Sequence, residues 1–146
     1  MSKKRPDLAD PGQCLCFNLR RAARLATRAY DDALAPAELT SPQFSALTVL
    51  AKAGPLPTSA FAKAMETERT TSTRNLTLME RDGLIKRKAG DDKRVRLVAI
   101  TPKGRRRYEA ALPLWRAAQK SLIARLGESD AAGVLIRAQN VVAALE

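Results

Sequence analysis

The stretch Arg69-Thr70-Thr71-Ser72-Thr73-Arg74-Asn75 gathers two guanidinium groups, a carboxamide and a run of hydroxyls at consecutive positions. Arginine pairs bidentately with guanine, asparagine with adenine, and threonine reaches a phosphate or a thymine methyl. Arg69, Thr70, Thr71, Thr73, Arg74 and Asn75 are therefore candidate readers of base edges, although the threonines taken alone serve equally as helix caps or solvated hydroxyls. Further along, Asp92-Lys93-Arg94 falls at a turn, with Arg96 just beyond it. An arginine held at such a tip suits a narrow minor groove, where the negative potential is enhanced. Asp92 fits either as an ordinary turn residue or as a carboxylate that pairs with an arginine and aims its guanidinium.

Catalysis has little to work with. Histidine is absent, which removes the usual general base, the Ser-His and Cys-His pairs and the commonest metal ligand together. There is no Gly-rich phosphate loop, no Cys-x-x-Cys and no carboxylate cluster with ligand spacing, so no enzyme, metal site or cofactor is expected. Cys14 and Cys16 are too few and too close together for a disulfide framework and fit a reducing cytosol. No apolar run approaches the roughly 18 residues of a membrane span, so a soluble, cytoplasmic chain without a membrane partner is expected.

These side chains need elements to position them. At 146 residues the chain is one domain, or one domain with a helical arm. Few of its apolar residues are aromatic (Phe17, Tyr30, Phe44, Phe61, Tyr108, Trp115), so the core must be aliphatic and alanine-based, which favours helices. Residues 1–12, with Pro6, Pro11 and Gly12, read as a loose arm. From Gln13 to about Leu34, Leu15, Leu19, Ala22, Ala26, Ala29, Tyr30 and Ala33 recur at helical spacing. Thr40-Ser41-Pro42 starts a second helix, which stops at Gly54-Pro55. A short third helix follows Leu56-Pro57-Thr58-Ser59, and a fourth spans about 69–82, with Leu76 and Met79 facing inward and Gly83 as its left-handed cap. Residues 84–88 and 95–100 make a β-hairpin around Gly90-Asp91-Asp92. A long helix after Pro102, kinked or divided by Pro113, and a last helix after Gly127 complete the chain.

The charge is as localised as the motifs. Lys and Arg number 26 against 15 Asp and Glu, a net +11. Between Arg69 and Arg107 there are thirteen basic and four acidic residues, so that segment alone carries +9. Such focusing points to a polyanionic partner. Two short helices, a tight turn and a basic hairpin make a winged helix-turn-helix, in which the second helix enters the major groove. The expected fold is mainly α with a small β-hairpin wing.

These residues resemble the MarR family of bacterial transcriptional regulators. The resemblance is carried by Leu39-Thr40-Ser41-Pro42-Gln43-Phe44, residues 69–76, Met79-Glu80-Arg81-Asp82-Gly83-Leu84-Ile85, Asp92-Lys93-Arg94 and Ile100-Thr101-Pro102-Lys103-Gly104, and it runs over nearly the whole chain beyond residue 12. It implies a homodimer, with residues 13–36 and 102–146 as a helical dimerisation region and residues 37–101 as the DNA-binding lobe. It also implies a repressor that sits on a pseudo-palindromic double-stranded operator and is released by a small, often aromatic or phenolic, effector bound between the two regions. Arg20, Tyr30, Phe44 and Trp115 are candidates to line that crevice, with ordinary core or interface roles as the alternative. Some peroxide-sensing members carry a reactive cysteine near the start of the first helix, which makes a thiol-based repressor using Cys14 or Cys16 one rival reading. A non-specific architectural DNA binder is the other.

Overall fold

The computed structural model describes residues 5–66 and 69–145, with the side chain of Arg69 outside that set. Six α-helices and three short strands follow one another as α1 (Leu15–Leu34), α2 (Ser41–Ala53), β1 (Leu56–Pro57), α3 (Thr58–Ala64), α4 (Arg69–Arg81), β2 (Ile85–Ala89), β3 (Arg96–Ile100), α5 (Pro102–Leu126) and α6 (Glu128–Leu145). The segment expected to be a loose arm carries local order at its end, where Asp10 accepts the Gly12 N–H at 2.8 Å and caps a 3-10 turn over Pro11–Gln13.

The expected start of α2 is built as a reciprocal cap. Gln43 N–H donates to the Thr40 hydroxyl while Thr40 N–H donates to the Gln43 side chain, satisfying two amides that the helix cannot. The Asp31 carboxylate of α1 accepts the Ser41 N–H at 2.6 Å and fixes where α2 begins.

The sheet differs from the expected hairpin by one strand. Its order is β1-β3-β2, all antiparallel, with Leu56 opposite Val98 and Pro57 opposite Leu97. Pro57, which lacks an N–H, is tolerated because β1 is an edge. In the hairpin proper, Ile85 faces Ile100 and Ala89 faces Arg96. Of the two outcomes expected at Pro113, a kink or a division, division does not occur: α5 runs unbroken through it. Pro113 is solvent-exposed, so the backbone carbonyl that its missing N–H leaves unpaired lies on the wet side of the helix.

The core belongs almost entirely to the middle of the chain. Leu39, Leu47, Leu50, Phe61, Leu76, Met79, Leu84, Ile85 and Val98 are buried together. By contrast, α1 buries only Leu34 and the described part of α6 buries nothing. Those two helices display Leu15, Phe17, Leu19, Leu25, Val134, Leu135, Ile136, Val142 and Leu145 on the surface of the isolated chain.

Candidate nucleic-acid interface

One face of α4 belongs to the core and the rest to solvent. Ser72, Leu76 and Met79 are buried, whereas Thr70, Thr71, Thr73, Arg74 and Asn75 are exposed. The 3.6-residue period explains the division, because positions 72, 76 and 79 return to the same side. Arg69 opens the helix, its side chain lying outside the described residues. The hairpin tip holds Asp92, Lys93 and Arg94, and β3 begins with Arg96; all four are exposed. Asp92 takes the turn role: its carboxylate accepts the Arg94 backbone N–H at 2.9 Å, and among the described residues it pairs with no guanidinium. Arg74, Lys93, Arg94 and Arg96 likewise enter no ion pair among the described residues, and of the four only Arg96 helps, at longer range, to lower the Glu80 pKa.

Two fasteners hold helix and wing in a fixed relation. The first is Glu80 of α4, whose carboxylate accepts from Arg87 of β2 three times, from the backbone N–H at 3.0 Å, Nε at 2.8 Å and Nη2 at 2.6 Å. The side-chain and backbone hydrogen bonds from Arg87 hold the Glu80 carboxyl below its usual pKa. The second lies at the other end of the wing, where the Thr101 hydroxyl donates to the Gly83 carbonyl at 2.6 Å and accepts the Gly104 N–H at 3.0 Å, capping α5. A side chain on Gly104 would collide with the Leu84 carbonyl, so the Thr-Pro-Lys-Gly sequence is a close-approach requirement. Nothing in local spacing announced Glu80 and Arg87 as partners, although Glu80 lies within a motif quoted above and Arg87 within the expected strand 84–88.

The four proposed crevice residues do not share one opening. Phe44 packs against Tyr108 at 5.4 Å and stacks on Trp115 at 5.9 Å, filling the space between α2 and α5. The Tyr30 hydroxyl hydrogen-bonds Gln119 across α1 and α5, and burial raises its pKa. Arg20 lies apart, on a shallow depression of α1 shared with Cys14, Cys16, Phe17 and Arg24. Both cysteines are free and exposed. Among the described residues no cluster of acidic or cysteine side chains could hold a metal, and no helix is long and apolar enough to cross a membrane.

The fold recurs in known proteins. The MarR family profile matches residues 39–95. The uncharacterized HTH-type transcriptional regulator YwoH of Bacillus subtilis (strain 168) is 32% identical over 95 residues, which cover 65% of this chain and 69% of that protein. The crystal structure of the M. tuberculosis transcriptional regulator MosR in complex with DNA is 41% identical, with a TM-score of 0.74 over 88% of this chain and 98% of that one. A MarR mutant from E. coli, complexed with operator DNA, shares the fold at 22% identity and a TM-score of 0.81, covering 93% of this chain and 99% of its own. A basic helix and wing on a winged helix-turn-helix, matched at this identity over this much of the chain, make the protein a transcriptional regulator that belongs to the MarR family.

Proposed function

We propose that the protein is a homodimeric repressor that reads a pseudo-palindromic operator and releases it when a small molecule binds. In this reading Thr70, Thr71, Thr73, Arg74 and Asn75 of α4, with Arg69 at its start, face the major groove, and Lys93, Arg94 and Arg96 face the adjacent backbone and minor groove, with Asp92 shaping the turn. The observation that carries it is the joint exposure of Thr70, Thr71, Thr73, Arg74, Asn75, Lys93, Arg94 and Arg96 on two elements that Glu80–Arg87 and Thr101 fasten together. A reader of consecutive grooves needs such a rigid pair. DNA in complex with the 41%-identical MosR supports the same partner here. Residues 13–36 and 102–146 then form the dimerisation region, and residues 37–101 the DNA-binding lobe.

The test is an anisotropy titration at about 150 mM salt, comparing the duplex upstream of the protein's own gene with random duplex. A preference of about 10³-fold or more is expected of a specific regulator. Equal affinity for these and for a selected pool of random sequences would leave the architectural role instead. The exposure of both thiols favours a second reading, release by oxidation at Cys14 or Cys16. It predicts that peroxide abolishes operator binding, that dithiothreitol restores it, and that Cys14→Ser or Cys16→Ser is indifferent to both.

A further inference from the structure

Between α2, α3 and α4, inside the helix-turn-helix itself, lies a cavity of about 310 Å³. Its walls are Pro42 and Ala46 of α2, Phe61 of α3 with Met65 after it, and Leu76 and Met79 of α4. It is separate from the contact between α2 and α5, which Phe44, Tyr108 and Trp115 fill. Ser72 opens onto it. That residue is 3% exposed, and its hydroxyl has no hydrogen-bond partner among the described residues. A buried hydroxyl left unpaired is costly, and native proteins rarely keep one without a use for it.

We infer that this cavity is a binding site for a neutral, compact ring compound that carries one hydroxyl, seated on the Ser72 hydroxyl. The volume is about twice the roughly 150 Å³ that encloses benzene, which admits a fused two-ring molecule. Neutrality follows from the lining, which among the described residues contains no lysine, arginine, aspartate or glutamate. The start of α2 borders the cavity but offers an anion no donor: the Ser41 N–H is bound to Asp31, Pro42 has none, and the Gln43 N–H is bound to Thr40. A carboxylate would therefore be buried with only neutral donors such as Ser72 and Asn75 to meet it and no cation beside it. Asn75 reaches both the cavity and the exposed face of α4. Occupancy therefore shifts α4 against α2 and disturbs the side chains that face DNA. This last step rests on the function proposed above; binding itself does not.

The probe is 2-naphthol, with 2-naphthoate as its charged counterpart, titrated without DNA into the 15N-labelled full-length protein. Saturable amide shifts are expected over residues 40–46, 61–65 and 72–79, with 2-naphthoate at least tenfold weaker. Ser72→Ala should weaken 2-naphthol about fivefold, the loss of one ordinary hydrogen bond. Ala46→Leu, which narrows the cavity, should weaken it further; Ser72→Ala, removing only an oxygen, keeps the test open if that variant fails to fold. Shifts centred on α1 and α5, equal binding of the naphthoate, or indifference to Ser72→Ala would each overturn the site. Saturating 2-naphthol should then lower operator affinity at least tenfold. Binding at the predicted residues without that loss overturns the coupling alone, whereas failure of the untreated protein to prefer any duplex overturns the function and leaves the site standing.

Discussion

Arg74 and Gly104 lie at opposite ends of what a sequence can reveal about a residue. Arg74 was legible, because helical periodicity alone turns positions 72, 76 and 79 inward and leaves 74 in solvent. Replacing it with alanine should cost about 1–3 kcal/mol of operator affinity and relax preference at one base pair, while affinity for random duplex falls much less. Competition titrations against single-base operator variants measure this, and an equal loss on every sequence would remove the base-reading role. Gly104 could be quoted as part of a pattern, but its reason is a carbonyl twenty positions away, that of Leu84. Gly104→Ala pushes a methyl into backbone that has no rotamer to escape with. Destabilisation of about 3 kcal/mol is expected in urea unfolding, the upper end of what overpacking usually costs.

At the scale of elements, what local pattern specifies was readable and what a distant partner specifies was not. The capping sequence at Thr40 and the left-handed Gly83 fixed helix ends as expected. The two-residue β1 escaped notice because Leu56-Pro57 has no alternation of its own and becomes a strand only against Val98 and Leu97. At Pro113 local pattern suggested a kink or a division, and exposure lets α5 avoid the division. The tie between α4 and β2 was equally invisible, and it carries a pH signature. Arg87 lowers the Glu80 carboxyl pKa in the folded state, so the pair's contribution is present above the unfolded carboxylate value and is lost as pH falls through the lowered one. With side chains 26% and 37% exposed the pair is solvent-screened, and a contribution of up to about 1 kcal/mol is expected. Glu80→Gln, which imitates the protonated acid, should therefore unfold at lower urea than the parent at pH 7, and the two should converge as acid protonates Glu80 in the folded state. A difference that persists unchanged at acid pH would mean the charge is not what fastens wing to helix.

The whole molecule is lopsided in where it keeps its apolar side chains. Its buried core is gathered between Leu34 and Ala111, while α1 and α6 present large aliphatic and aromatic side chains to solvent, Phe17 at 57%, Leu135 at 60% and Leu145 at 83% exposure. The amphipathic periodicity of both helices was evident from sequence, but a stripe facing its own core and a stripe facing a second copy read alike until burial is measured. Covering each such side chain gains about 1.5–3 kcal/mol, enough in aggregate to outweigh the entropy of association. We therefore expect sedimentation velocity to find a dimer at micromolar concentration, and Phe17→Glu with Leu135→Glu to yield a folded monomer, its core residues being untouched. Because each protomer supplies one α4 and one wing, that monomer should retain affinity for an isolated half-site while losing most of its advantage on the full operator, which derives from joining two half-sites in one molecule. A double variant that stayed dimeric would relocate the interface away from α1 and α6. One that became monomeric yet bound the full operator undiminished would mean that a single lobe suffices for recognition, and that the exposed helices serve another contact.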